Sequence, residues 1–101
     1  MQNLTIALIQ QEIIPNDPQH NLDTFAKAIS HLTNVDLVIL PEVFTTGFCS
    51  NARNYAEHVD GTAYQWMAEQ AKKLNAVVTG SLVVKLENTH FNRLVWMRPD
   101  G

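Results

Sequence analysis

Apolar residues follow two rhythms along this chain. Unbroken or nearly unbroken apolar runs occupy residues 4–10 (LTIALIQ), 36–40 (DLVIL), 76–84 (AVVTGSLVV) and 91–98 (FNRLVWMR). Runs of this kind suit strands, and the first two read as buried on both faces. Between the first three runs, apolar residues recur every three or four positions instead. That spacing lays one stripe along a helix.

The helix boundaries are also written in the sequence. Asp17 is placed to cap a first helix, with Pro18 at its first position. Leu22, Phe25, Ala26, Ile29 and Leu32 form its stripe, and Gln19, Asp23, Lys27 and Ser30 take the other faces. It is predicted to end near Thr33 and Asn34, since asparagine tolerates a left-handed cap. Asp60 or Thr62 is the expected cap of a second helix. Ala63, Met67, Ala71 and Leu74 mark its buried face, with Trp66 beside it, and Lys72 and Lys73 complement its dipole. Trp66 and Trp96 are expected in the core. Residues 85–90 read as a polar turn, and Pro99, Asp100 and Gly101 as another. A strand, a helix and a second strand of like kind form a parallel βαβ unit. The order β-α-β-α-β-β therefore predicts an α/β layered fold with a mixed sheet.

Composition narrows the function classes. With 101 residues, the chain suits one small domain, and 46% hydrophobic content argues against disorder. A net charge of −3 without a basic cluster speaks against nucleic acid as a partner. No apolar run approaches the roughly 20 residues of a membrane span, so no membrane partner is expected. The N-terminus lacks a basic lead and a cleavage site, and it reads as a strand rather than a signal peptide. Cys49 is the single cysteine, so an internal disulfide is ruled out and a cytoplasmic setting is expected. His20, His31, His58 and His90 share no metal-ligand spacing.

The chemistry gathers at LVILPEVFTTGF, residues 37–48. Ligands of open α/β sheets collect at the carboxyl ends of strands, and Glu42 stands just past such an end. Pro41 stops the strand, and Gly47 allows a tight turn behind it. Residues 41–55 form an irregular stretch holding Phe44, Phe48 and Tyr55, which suits a packed functional loop. A carboxylate in an apolar setting is a plausible proton shuttle. A solvated or ion-paired strand-end charge fits the residues as well.

The wording of this stretch resembles the first catalytic motif of the nitrilase superfamily, the carbon–nitrogen hydrolases. LTIALIQ, with Asn21 and Leu22 entering the first helix, resembles the family's first strand and helix. DLVILPEVF resembles its second strand and base motif. NAVVTGSLV and FNRLVWMRPDG are similar to the strands that follow. The ω-amidase-like branch, which deamidates dicarboxylic monoamides, is the most similar. The resemblance implies an α-β-β-α sandwich, of which this chain would be the N-terminal part. It implies Glu42 as general base for a cysteine nucleophile, with a lysine stabilising the oxyanion and neither metal nor cofactor required. Phe48 and Phe44 fall where the family lines its substrate pocket. A small amide substrate and a homo-oligomer are implied as well.

The chain departs from the family at two of its three catalytic residues. The family's lysine follows the PDG-like turn, and its cysteine lies further on. Cys49 shares a loop with Glu42 and does not match that nucleophile, and Lys85 does not match that lysine. Residues 1–101 are therefore expected to be a partial domain, inactive alone. The competing expectation is a stand-alone, non-catalytic α/β module that binds a partner or ligand. A flavodoxin-like nucleotide-binding domain is disfavoured, because the first β-to-α turn lacks a glycine-rich phosphate loop.

Overall fold

The computed structural model describes residues 3–48 and 52–101. Among them the elements run β1 (Ile6–Leu8), α1 (Pro18–Ile29), β2 (Leu37–Ile39), a 3-10 turn (Ala52–Tyr55), α2 (Thr62–Leu74), β3 (Val77–Leu86) and β4 (Thr89–Met97). The four strands form one sheet in chain order, β1-β2-β3-β4. The first three are parallel and β4 is antiparallel to β3. The α/β class, the element order and the mixed sheet are as the sequence predicts.

Asp17 does cap α1, accepting the amide of His20 at 3.2 Å, with Pro18 as the first helical residue. The helix stops at Ile29, several residues earlier than predicted. The Ser30 hydroxyl donates back to the carbonyl of Lys27 at 3.0 Å, a local bond that competes with continued helix. Asn34 does adopt a left-handed conformation, with φ 56°, in the turn beyond.

Neither Asp60 nor Thr62 caps α2. Gly61 occupies the cap position and has no side chain to offer. Glu57 serves instead: its Oε1 accepts the amide of Ala63 at 2.7 Å. The Glu57 backbone meanwhile bonds to β3, donating to the Val83 carbonyl at 3.0 Å and accepting from the Lys85 amide at 2.8 Å. It takes up the β3 edge that β2 leaves free after Leu40, whose amide donates to Thr79. The polar turn is also tighter than predicted. β3 extends through Lys85 and Leu86, β4 starts at Thr89, and only Glu87 and Asn88 lie between. Glu87 has φ 55°, as two-residue hairpin loops require.

Both helices cover one face of the sheet. Leu22, Phe25 and Ile29 of α1 and Ala63, Met67 and Ala71 of α2 are buried against Val38, Val78, Leu82 and Val84. Phe44 completes this core, with its ring edge-on to Phe25 at 5.6 Å and tilted against Trp66 at 5.7 Å. Gly80 makes room for it: a Cβ there would lie 3.0 Å from Phe44 Cδ1 and 3.1 Å from Leu40 Cβ.

The opposite face is open. Leu8 is 75% and Trp96 58% exposed, with Ile6 and Leu94 beside them in the same class. The expected double burial of β1 and the core position of Trp96 are therefore corrected. Strand register puts Thr79 opposite Trp96 and Ser81 opposite Leu94, and cross-strand partners share a face. Trp96 thus projects away from the helices. Trp66 is partly buried against the core, as predicted.

Candidate active site

β2 ends at Ile39, and the chain leaves the sheet through Leu40 and Pro41. Residues 42–46 then make a turn. The amides of Thr46 and Gly47 both donate to the Val43 carbonyl, at 3.2 and 2.8 Å. Gly47 has φ 70°, so the glycine is used as the sequence predicts. Val43 itself has φ 44°. That conformation is uncommon for any side chain and a genuine outlier for a β-branched one. Strain of this kind collects at functional sites and persists only where the surroundings over-determine it.

The surroundings here are specific. The Val43 amide donates to the buried Ser81 hydroxyl at 2.8 Å. Thr45 is tied to α1, because Asn21 Nδ2 donates to its carbonyl at 2.8 Å. The same Nδ2 donates to the Ile14 carbonyl at 2.8 Å, and Asn21 Oδ1 accepts the Ile14 amide at 2.9 Å. Asn21 is fully buried, and its hydrogen bonds join the helix to the loops on either side. Glu42 thus rests on backbone fixed from β3 and from α1.

The Glu42 side chain is exposed and turns toward β4, where Asn92 Nδ2 donates to its Oε1 at 3.1 Å. Both residues border a cleft of about 390 Å³ on the open side of the sheet, with Ile39, Thr79, Ser81 and Leu94 among its other walls. This volume is in the range of small-molecule sites. One polar edge, formed by Glu42, Asn92 and Ser81, faces apolar side chains. A carboxylate so placed is accessible to a small molecule, and among the described residues it is held at one oxygen only.

The two aromatic candidates do not join Glu42 in this cleft. Phe44 is 0% exposed and lies in the core on the helix side, where it packs rather than lines a pocket. Phe48 is 78% exposed and is not among the cleft walls. Of the three aromatics from which a packed loop is expected, Phe44 is buried, whereas Phe48 and Tyr55 are exposed. Cys49 lies outside the described residues. Among the described residues no cluster of His, Cys, Asp or Glu is arranged to hold a metal. No helix among them is long and apolar enough to cross a membrane.

Sequence reasoning missed three contributors. Asn21 interrupts an otherwise apolar inward face, and a buried asparagine has to find partners. That was a usable signal. Ser81 alternates with Gly80 and Leu82 in a strand that looks simply small and apolar. Asn92 reads as an ordinary strand polar residue or as one that orients a neighbouring loop, and only the register of β4 brings it to Glu42.

Comparison with known proteins agrees with this architecture. The carbon–nitrogen hydrolase family model matches residues 5–101. The omega-amidase YafV of Escherichia coli K12 is 33% identical over 101 residues, all of this chain and 39% of that protein. The Yersinia enterocolitica YafV is 31% identical over the same extent. The chain thus spans about two-fifths of the length of these curated relatives. The crystal structure of XC1258 from Xanthomonas campestris is of a CN-hydrolase superfamily protein with an arsenic adduct in its active site. It superposes with a TM-score of 0.94 at 42% identity, over 99% of this chain and 38% of that one. Saccharomyces cerevisiae Nit3, of branch 10 of the nitrilase superfamily, shares the fold with a TM-score of 0.75 at 18% identity, over 97% of this chain and 41% of its own. A glutamate on a strained, doubly anchored turn at the end of a parallel strand is thus set in a chain matched almost throughout, and this chain belongs to the carbon–nitrogen hydrolase family.

Proposed function

We propose that these residues contribute the general base to an amidase of the ω-amidase kind, and that the base is Glu42. The observation that carries this reading is the position of the Glu42 carboxylate. It stands at the carboxyl end of β2, on the open side of the sheet, at the rim of a cleft of small-molecule size. The substrate class is a small carboxamide such as the monoamide of a dicarboxylic acid, in line with the relatives named omega-amidase.

In this mechanism Glu42 takes the proton of a cysteine thiol, and the thiolate attacks the amide carbon. The tetrahedral oxyanion is held by a lysine. Glu42 returns its proton to the departing nitrogen, so ammonia and a thioester result. Glu42 then takes a proton from water, and the resulting hydroxide attacks the thioester. As the C–S bond breaks Glu42 passes that proton to the leaving thiolate, so the acid and the free cysteine thiol are released. The carboxylate ends each cycle as it began. Neither the lysine nor the nucleophile is matched in residues 1–101, and we assign both to sequence beyond this segment. By itself the segment is inactive in this reading. Phe48, exposed and outside the cleft walls in these residues, is assigned to contact the acyl chain of the substrate in the full-length enzyme. The working enzyme is a homo-oligomer in the cytoplasm.

The test is Glu42→Gln in the full-length protein, with ammonia release as the readout and circular dichroism as the check on folding. Turnover should be lost with the fold intact. Turnover retained at near wild-type rate would remove Glu42 from the role.

A further inference from the structure

We infer that Asn92 is the positioning residue of the base: its amide holds Glu42 Oε1 and leaves Oε2 as the oxygen that moves protons. The inference rests on Glu42 being the base and goes further by naming what orients it. Glu42 leaves the end of β2, whereas Asn92 sits on β4, so β3 lies between their strands. Alternate strands of a sheet are about 10 Å apart. The glutamate side chain therefore reaches across β3, which runs on past the end of β2, and the bond to Asn92 at 3.1 Å fixes that direction. A carboxylate turned to solvent would need no such crossing.

The two ends of this bond are held separately. Asn92 belongs to the long β3–β4 hairpin, paired with Val83, a rigid element. The Glu42 end is set by the strained Val43 and by the Val43 amide on Ser81. The donor type matters as well. A lysine or arginine at position 92 would neutralise the carboxylate and weaken it as a base. A carboxamide donates one hydrogen bond without adding charge. Its remaining N–H and its oxygen stay available at the cleft rim.

The experiment compares Asn92→Leu, Asn92→Asp and Glu42→Gln in the full-length protein, each assayed for amide hydrolysis across pH and checked by circular dichroism. Asn92 is exposed, so these changes should leave the fold intact. Asn92→Leu keeps the approximate shape without the donor. It should lower kcat about tenfold with KM little changed, because a misaimed base affects the chemical step rather than ground-state binding. Asn92→Asp sets a second carboxylate against Glu42. It should move the acidic limb of the kcat/KM profile up by about one pH unit, a shift that a merely structural residue would not cause. If Glu42→Gln abolishes turnover but both Asn92 variants keep wild-type kcat and acidic limb, the positioning role is overturned and the base stands. If Glu42→Gln stays active, both fall.

Discussion

The hydroxyl of Ser81 and the amide of Val43 meet at 2.8 Å, both buried and 38 positions apart in sequence. This bond fastens the turn that carries Glu42 to the middle of the sheet. It also opposes the strain in Val43, since a φ of 44° at a β-branched residue costs on the order of 1–3 kcal/mol unless something holds it. Ser81→Ala removes only the oxygen and strands a buried N–H. A loss of about 1–3 kcal/mol is expected. Denaturant unfolding should show a lower midpoint with an unchanged slope, the mark of altered stability without altered compactness. The full-length protein should in addition lose kcat. An unchanged midpoint would mean that the turn does not depend on this contact.

Asn21 does the same work from the helix side. Its side chain binds Ile14 through both N–H and C=O and binds the Thr45 carbonyl besides. Asn21→Ala strands several buried polar groups at once, so it should cost more than Ser81→Ala, about 2–4 kcal/mol. Asn21→Asp should be no better. The carboxylate keeps the acceptor for the Ile14 amide but faces two carbonyl oxygens where the donor had been. Unfolding curves of the two variants decide the matter, and a cost below that of Ser81→Ala would show that the loop finds other anchors.

How much of this was legible beforehand depends on the range of the interaction. Asp17 and Pro18 are local signals, and the start of α1 follows from them. The stripe Leu22, Phe25, Ile29 is also local, and so is the termination of β2 at Pro41. The cap of α2 was misread because the capping group comes from Glu57, fixed in place by β3 rather than by the helix sequence. Trp96 was misread because an apolar run says that two faces want cover without saying which neighbour covers them. In these residues the helices cover one face, and Leu8, Leu94 and Trp96 of the other stand exposed. At the site, Glu42 was visible through its strand-end position and its motif. A loop-orienting role for Asn92 was open, but its partner was not legible, because its meeting with Glu42 depends on the register of a hairpin.

Glu57 gives a pH-dependent prediction whose sign can be worked out. Its carboxyl is half-buried, and that burial raises its pKa above the ordinary carboxylate value, against the smaller lowering effect of the Ala63 amide. A folded-state pKa above the unfolded one means that the folded protein keeps the proton to higher pH. The contribution of Glu57 to stability is then fully present below the unfolded value and is lost as pH rises through the folded value. Glu57→Gln keeps an oxygen for the Ala63 amide and cannot ionise. The stability of the wild type relative to Glu57→Gln should therefore be greatest in acid and decline toward neutral pH. Glu57→Ala removes the acceptor at every pH and should cost about 0.5–2 kcal/mol, as lost helix caps do. Thermal or urea unfolding across the acid range distinguishes the two. A wild-type minus Gln difference that stays level, or that grows as pH rises, would show that the Ala63 bond outweighs burial and that the charged form is the one the fold prefers.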